Sequence, residues 1–194
     1  MLGLLTPTDP SWVQAAQNDL VGLLSDHAHC ELKAAVAALA MVGRFGATYP
    51  PLVAPLSALA QEETGHFRAV HAQLGQREAA FTTPAPDAYV NELWGATKQE
   101  RSQVPVVLDR LLVNALIEAR SCERFKLLSE GLEDPALRLF YRDLMESEAR
   151  HYRLFCGLSE ELFGVKMARE RLSQLAARES QLSSKLPLGP KVHG

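Results

Sequence analysis

One spacing pattern occurs twice in this chain: a lone glutamate, a helix-length gap, then Glu-x-x-His. The first copy is Glu31 with Glu63 and His66, and the second is Glu118 with Glu148 and His151. In each copy the neighbours at helical spacing are apolar, so the six residues sit where a core should be. Leu56, Leu59, Ala60, Phe67 and Val70 share the face of Glu63 and His66. Leu111, Leu112, Ala115, Cys122 and Phe125 share that of Glu118. Burying four uncompensated carboxylates is prohibitively costly, and bound metal removes that cost. A glutamate from each of two helices plus Glu-x-x-His from each of two others is the ligand set of a two-metal, carboxylate-bridged four-helix bundle. A single Glu-x-x-His is weak evidence, because a solvated helix face produces it as readily. The doubling is what constrains the chain.

The spacing is consistent with two antiparallel helical hairpins. Glu31 lies 12 residues before the turn-rich segment that starts at Gly43, and Glu63 lies 12 residues after Pro51, where that segment ends. At ~1.5 Å per residue both are roughly 18 Å from the turn, hence level with one another. Glu118 lies 13 residues before Gly131 and Glu148 lies 13 after Pro135. In each Glu-x-x-His the two side chains share a helix face. Glu123 competes with Glu118, since Cys122-Glu123 matches Cys30-Glu31. It would stand ~7.5 Å nearer the turn, so Glu118 is the preferred ligand.

Helical patterning extends along almost the whole chain. Asp9-Pro10 reads as an N-cap with proline at the first helical position, opening a short helix to about Leu24. Main helices are expected to carry Glu31, to span Leu52 to Leu74, to span Gln103 to Ser129, and to run from the Asp134-Pro135 cap to Phe163. A last helix covers Lys166 to Leu182. The join over Gly75 to Ser102, with a short helix at Ala88 to Thr97, is long. One long crossover between two hairpins is the ferritin-like connection. The expected fold is therefore all-α: a ferritin-like four-helix bundle with a long crossover and extra flanking helices. A single domain is expected over 1–182. The Ser/Pro/Gly-rich residues 183–194 read as a disordered tail.

Composition narrows the function classes. At 194 residues, 47% apolar and 22% charged, the chain is an ordinary soluble globular domain. It opens without a basic segment before its short apolar run, so no secretory signal is expected, and no apolar run reaches membrane-spanning length. Cys30, Cys122 and Cys156 contain no C-x-x-C, which argues for reduced thiols in a cytoplasmic protein and against a rubredoxin-like iron site. There is no G-x-G-x-x-G for a nicotinamide or flavin cofactor. The formal charge of −3 counts the four proposed ligands; setting them aside leaves +1.

Other candidates have plainer explanations. His27 stands one turn before Glu31 and reads either as a residue behind that ligand or as a polar residue at the bundle edge. His29 points elsewhere, and His71 and His193 read as surface or tail residues. Tyr141 and Tyr152 read as core packing, and Cys122 as a small buried filler. Arg120, Arg124, Lys126, Arg138, Arg142, Arg150 and Arg153 are interleaved with acids. They read as a salt-bridged solvated face or, more sharply, as a phosphate-contacting surface.

Mixed carboxylate and imidazole ligands suit iron or manganese better than thiolate-loving metals. The segments DHAHCELKAA (26–35), LIEARSCERFKLL (116–128) and YRDLMESEARHYRLF (141–155) resemble the bacterial tRNA hydroxylases acting on methylthiolated, isopentenylated adenosine beside the anticodon. LLTPTDPSW and YPPLVAPLSALAQEETGHF are similar to that family too, and the similarity covers about Leu4 to Glu179. The resemblance implies a non-haem di-iron monooxygenase with two iron ions and dioxygen as co-substrate. It also implies a tRNA substrate, an external electron-donating reductase and no membrane. Its metal-binding and catalytic residues would be Glu31, Glu63, His66, Glu118, Glu148 and His151. The alternatives are a ferritin-like iron store or ferroxidase, a peroxidase, and a helical interaction protein without metal.

Overall fold

The structure, a computed structural model, describes residues 2–84, 86–99, 104–185 and 189–193. Among these, all regular structure is helical: α1 (Trp12–Asn18), α2 (Leu20–Phe45), α3 (Val53–Gly75), α4 (Ala88–Gln99), α5 (Val106–Gly131), α6 (Pro135–Phe163) and α7 (Val165–Ser183). The described residues fall into two compact units.

One unit is the α2–α3 hairpin with its flanking segments, residues 14–84, 86 and 189–192. The expected helix from Pro10 to Leu24 is instead divided at Asp19. That residue leaves helical geometry (φ −136°, ψ 66°), and its carboxylate accepts from Gly22 N at 2.9 Å, starting α2 afresh. Ser, Thr, Asp and Asn favour such caps because a short side chain satisfies N–H groups that have no intrahelical partner. Alanines at 34, 35, 37, 38 and 40 favour continuation of α2. The chain turns after Phe45, and Pro50–Leu52 forms a single 3₁₀ turn leading into α3. Leu24, Ala28, Glu31, Ala35 and Ala38 recur at three- and four-residue spacing on the buried stripe of α2. Leu56, Leu59, Ala60, Glu63, Val70 and Leu74 form that of α3. Fully burying each such leucine contributes about 1.5–3 kcal/mol, so the apolar stripe holds the glutamates in register.

The other unit comprises residues 2–13, 87–99, 104–185 and 193, built on the α5–α6 hairpin with α4 and α7 packed on it. Pro135 opens α6, and Asp134 Oδ1 accepts from Ala136 N at 2.8 Å and Leu137 N at 3.3 Å. α6 ends at Gly164, whose φ of +83° is the left-handed region that lets the chain turn sharply into α7. Tyr89, Leu93, Leu108, Leu112, Leu116 and Leu175 are among the core residues of this unit.

The expected start of the third main helix at Gln103 lies outside the described residues, as do 85, 100–102, 186–188 and 194. Within the tail read as disordered, 189–193 include packed residues. Val192 is buried and donates its N–H to Asp26 Oδ2 at 2.8 Å. His193 is buried too, with Nε2 2.9 Å from Ser121 Oγ and its ring stacked on Tyr89. Composition alone points to disorder here. The few polar and aromatic groups that anchor these residues come from distant parts of the sequence.

Candidate metal centre

The α2–α3 hairpin brings three donors together. Glu31 and Glu63 are buried, while the His66 side chain keeps 15% of its surface accessible. His66 Nδ1 lies 3.1 Å from Glu63 Oε2 and 3.5 Å from Glu31 Oε2. Glu31 Oε1 faces the other way, 2.6 Å from Nε2 of the fully buried His27. Burial alone would depress the imidazole pKa of His66, but the Glu31 and Glu63 carboxylates outweigh it and raise the pKa to about 10. Burial would likewise raise that of Glu31. Hydrogen bonds from His27 and His66 overcome it and hold the carboxyl below the usual range.

The α5–α6 hairpin repeats the motif. Glu118, Glu148 and His151 are all buried, with His151 Nδ1 3.7 Å from Glu148 Oε1 and 3.9 Å from Glu118 Oε2. Within each triad the donor atoms lie within 4.8 Å of one another. Two ligands at right angles, each about 2.1 Å from an ion, stand about 3 Å apart. The first triad, at 3.1 and 3.5 Å, is near that value, and the second, at 3.7 and 3.9 Å, is more open. The donors are carboxylate oxygens and imidazole nitrogens with no thiolate, a set suited to iron or manganese. The residues present therefore fit the metals that the sequence implies.

Glu123, the competing ligand, is engaged elsewhere. Its Oε1 accepts from Thr8 N at 2.9 Å, and its Oε2 accepts from Thr8 Oγ1 at 2.8 Å and from Arg120. Arg120 also donates to Glu179 Oε1, at 2.6 Å from Nη2, and to Thr6 O at 3.0 Å. Tyr89 Oη completes the cluster with a 3.0 Å bond to the same Glu179 oxygen. The expectation that Arg120 and Arg124 belong to a surface series is thereby corrected. Arg120 is 1% exposed, and the buried Arg124 guanidinium lies over the Trp12 ring at 4.8 Å. Apart from Glu123 on the same helix, their partners come from the N-terminal segment and α7, which local charge pattern does not reveal. Lys126, Arg142, Arg150 and Arg153 are exposed.

The remaining candidates resolve as packing. Cys122 Sγ donates to Met145 O at 3.4 Å, and burial together with the nearby Glu123 charge pushes the thiol up to about 11, so it stays protonated. Tyr141 packs in the core against Phe125 and Phe140. His29 and His71 both flank Phe81, at 4.1 Å and 5.7 Å between ring centroids. Phe67 joins them at 5.8 Å from Phe81. The four-residue spacing of Phe67 and His71 is the only sequence sign of this cluster.

Comparison with known proteins matches the described architecture. The chain is 39% identical over 154 residues to a Pseudomonas putida protein named tRNA 2-(methylsulfanyl)-N(6)-isopentenyladenosine(37) hydroxylase, covering 79% of this chain and 73% of that one. A Salmonella typhimurium protein of the same name is 29% identical over 205 residues, covering 80% and 74%. Among solved structures, a Synechococcus protein described as having aldehyde deformylating oxygenase activity superposes with a TM-score of 0.90. It is 39% identical, over 98% of this chain and 95% of that one. The fold is accordingly ferritin-like and all-helical. The family model for the tRNA-(MS[2]IO[6]A)-hydroxylase (MiaE) matches residues 2–194, and the chain belongs to that family.

Proposed function

We propose that this protein is a tRNA-modifying monooxygenase. It hydroxylates the isopentenyl group of 2-methylthio-isopentenyl-adenosine next to the anticodon. The observation that carries this reading is the pair of Glu/Glu/His triads, one in each hairpin of a chain that matches a tRNA hydroxylase family from end to end. The two triads together would hold two iron ions: Glu31, Glu63 and His66 from the first hairpin, Glu118, Glu148 and His151 from the second. Such a pair would supply dioxygen activation strong enough to attack a methyl C–H bond. The overall change converts a terminal methyl group, dioxygen, two electrons and two protons into a primary alcohol and water. The electrons require an external reductase. In keeping with tRNA as substrate, the protein would work in the cytoplasm; no helix among the described residues is long and apolar enough to cross a membrane.

The chain's own residues have separate tasks in this scheme. The carboxylates and imidazole nitrogens bind metal, and the burial of five of the six ligands excludes water from the reacting groups. Apolar neighbours such as Leu59 and Val70 fit a branched five-carbon tail better than a charged substrate. The exposed arginines of α6 suit the phosphates.

The test supplies reduced, iron-loaded protein with dioxygen and tRNA carrying this nucleoside. One oxygen atom should be added to the prenyl tail, and isotopic labelling should trace it to dioxygen rather than water. Protein that leaves the nucleoside untouched while oxidising and storing added ferrous iron would instead be a ferroxidase.

A further inference from the structure

We infer that His27 is a positioning residue: it commits one oxygen of Glu31, so that this glutamate meets metal through Oε2 alone. The inference rests on the assignment of Glu31 as a ligand and goes beyond it.

The geometry separates the two oxygens of Glu31. Oε2 is the one facing the other donors, 3.5 Å from His66 Nδ1. Oε1 is 2.6 Å from His27 Nε2. A ligating carboxylate is ionised and can only accept, so the proton of this bond sits on His27 Nε2. Charge-assisted bonds of this length are among the stronger ones in proteins. His27 lies four residues before Glu31 on the same helix, and its side chain is fully buried, so the ring has little freedom to swing away.

The consequence concerns coordination. Without a donor on Oε1, a glutamate can chelate one ion with both oxygens or exchange between binding modes. With Oε1 held, it offers one oxygen in one direction. His27 thus does for this glutamate what carboxylates behind metal-bound histidines do for those ligands: it fixes orientation and tunes donor strength. Loss of such partners typically weakens metal binding by about 10–100-fold.

The experiment compares wild type with His27→Phe, which keeps a buried ring but has no donor, and with His27→Gln, whose Nε2 can reach the same oxygen. The readouts are iron retained against a graded chelator, the Mössbauer spectrum of the loaded protein, and the thermal midpoint of the metal-free protein. H27F should release part of its iron at a roughly 10–100-fold lower chelator strength and show a changed signal from one iron. H27Q should recover most of both. Wild-type retention and spectrum in H27F would overturn the inference. So would an H27Q protein as impaired in iron binding as H27F, because a mere packing role would not distinguish the donor. Wild-type protein that takes up no iron would overturn the ligand assignment and this inference together. Failure to hydroxylate tRNA would count only against the proposed reaction, since none of these readouts depends on it.

Discussion

At the scale of single residues, two glutamates five positions apart have different fates. Glu118 joins His151 and Glu148, whereas Glu123 accepts from Thr8 and Arg120. Glu118→Ala should therefore reduce iron content and disrupt the optical spectrum of the metal site while the fold persists. Glu123→Ala should keep the iron but lose about 3–5 kcal/mol in urea denaturation, because it removes one partner of a buried cation. The reverse pattern would show the register of α5 to be misassigned. His66 gives a prediction about pH. Its pKa in the metal-free protein is raised from 6.5 to about 10, by carboxylates that outweigh burial. Because the folded value exceeds the unfolded one, the stabilisation is complete below about pH 6.5 and is lost as pH rises through about 10. Metal bound through His66 would displace the same proton, so affinity should rise with pH across that window, by up to about tenfold per unit. Calorimetry of manganese binding in buffers of different ionisation enthalpy should detect the released proton. Uptake without proton release would contradict the pairing.

Helices α2 and α6 both start at aspartate caps, Asp19 and Asp134. Asp134 serves two N–H groups of the first turn of α6, and Pro135 presets its backbone. Asp134→Ala should cost about 1 kcal/mol, a fall in Tm of roughly 2–4 °C for a chain of this size. Iron content should stay the same, since Glu148 and His151 lie more than three turns further on. A larger loss accompanied by loss of iron would mean that the cap also sets the register of the triad.

For the molecule as a whole, the question is how a chain with formal charge −3 binds a polyanion. Of the seven cationic residues in the series running from Arg120 to Arg153, Arg120 and Arg124 are buried. Arg142, Arg150 and Arg153 are exposed on α6, and Arg150 also donates to Ser147 Oγ at 2.8 Å. If tRNA lies against this face, affinity should fall steeply with salt through counterion release. Reversing Arg142 and Arg150 to glutamate should weaken binding and reduce the salt slope by about one for each phosphate that is no longer neutralised, with iron content unchanged. A flat salt response in filter binding would point to a small-molecule substrate.

Features that depend on spacing along the chain are legible in the sequence. The Glu-x-x-His faces and the Asp134-Pro135 start of α6 follow from helical periodicity and capping, which involve residues within four positions of each other, and the levels of the lone glutamates follow from the constant rise per residue on either side of one turn. Features that depend on partners far along the chain are not legible there. Arg120 looks like a surface cation among acids, yet Thr6, Thr8 and Glu179 enclose it from more than fifty residues away. His193 lies in a composition typical of disorder, yet Ser121 and Tyr89 hold it. For His27 the sequence left two readings open. The fold shows which oxygen of Glu31 it holds, because a four-residue spacing fixes the shared face of a helix but not the direction of a carboxylate.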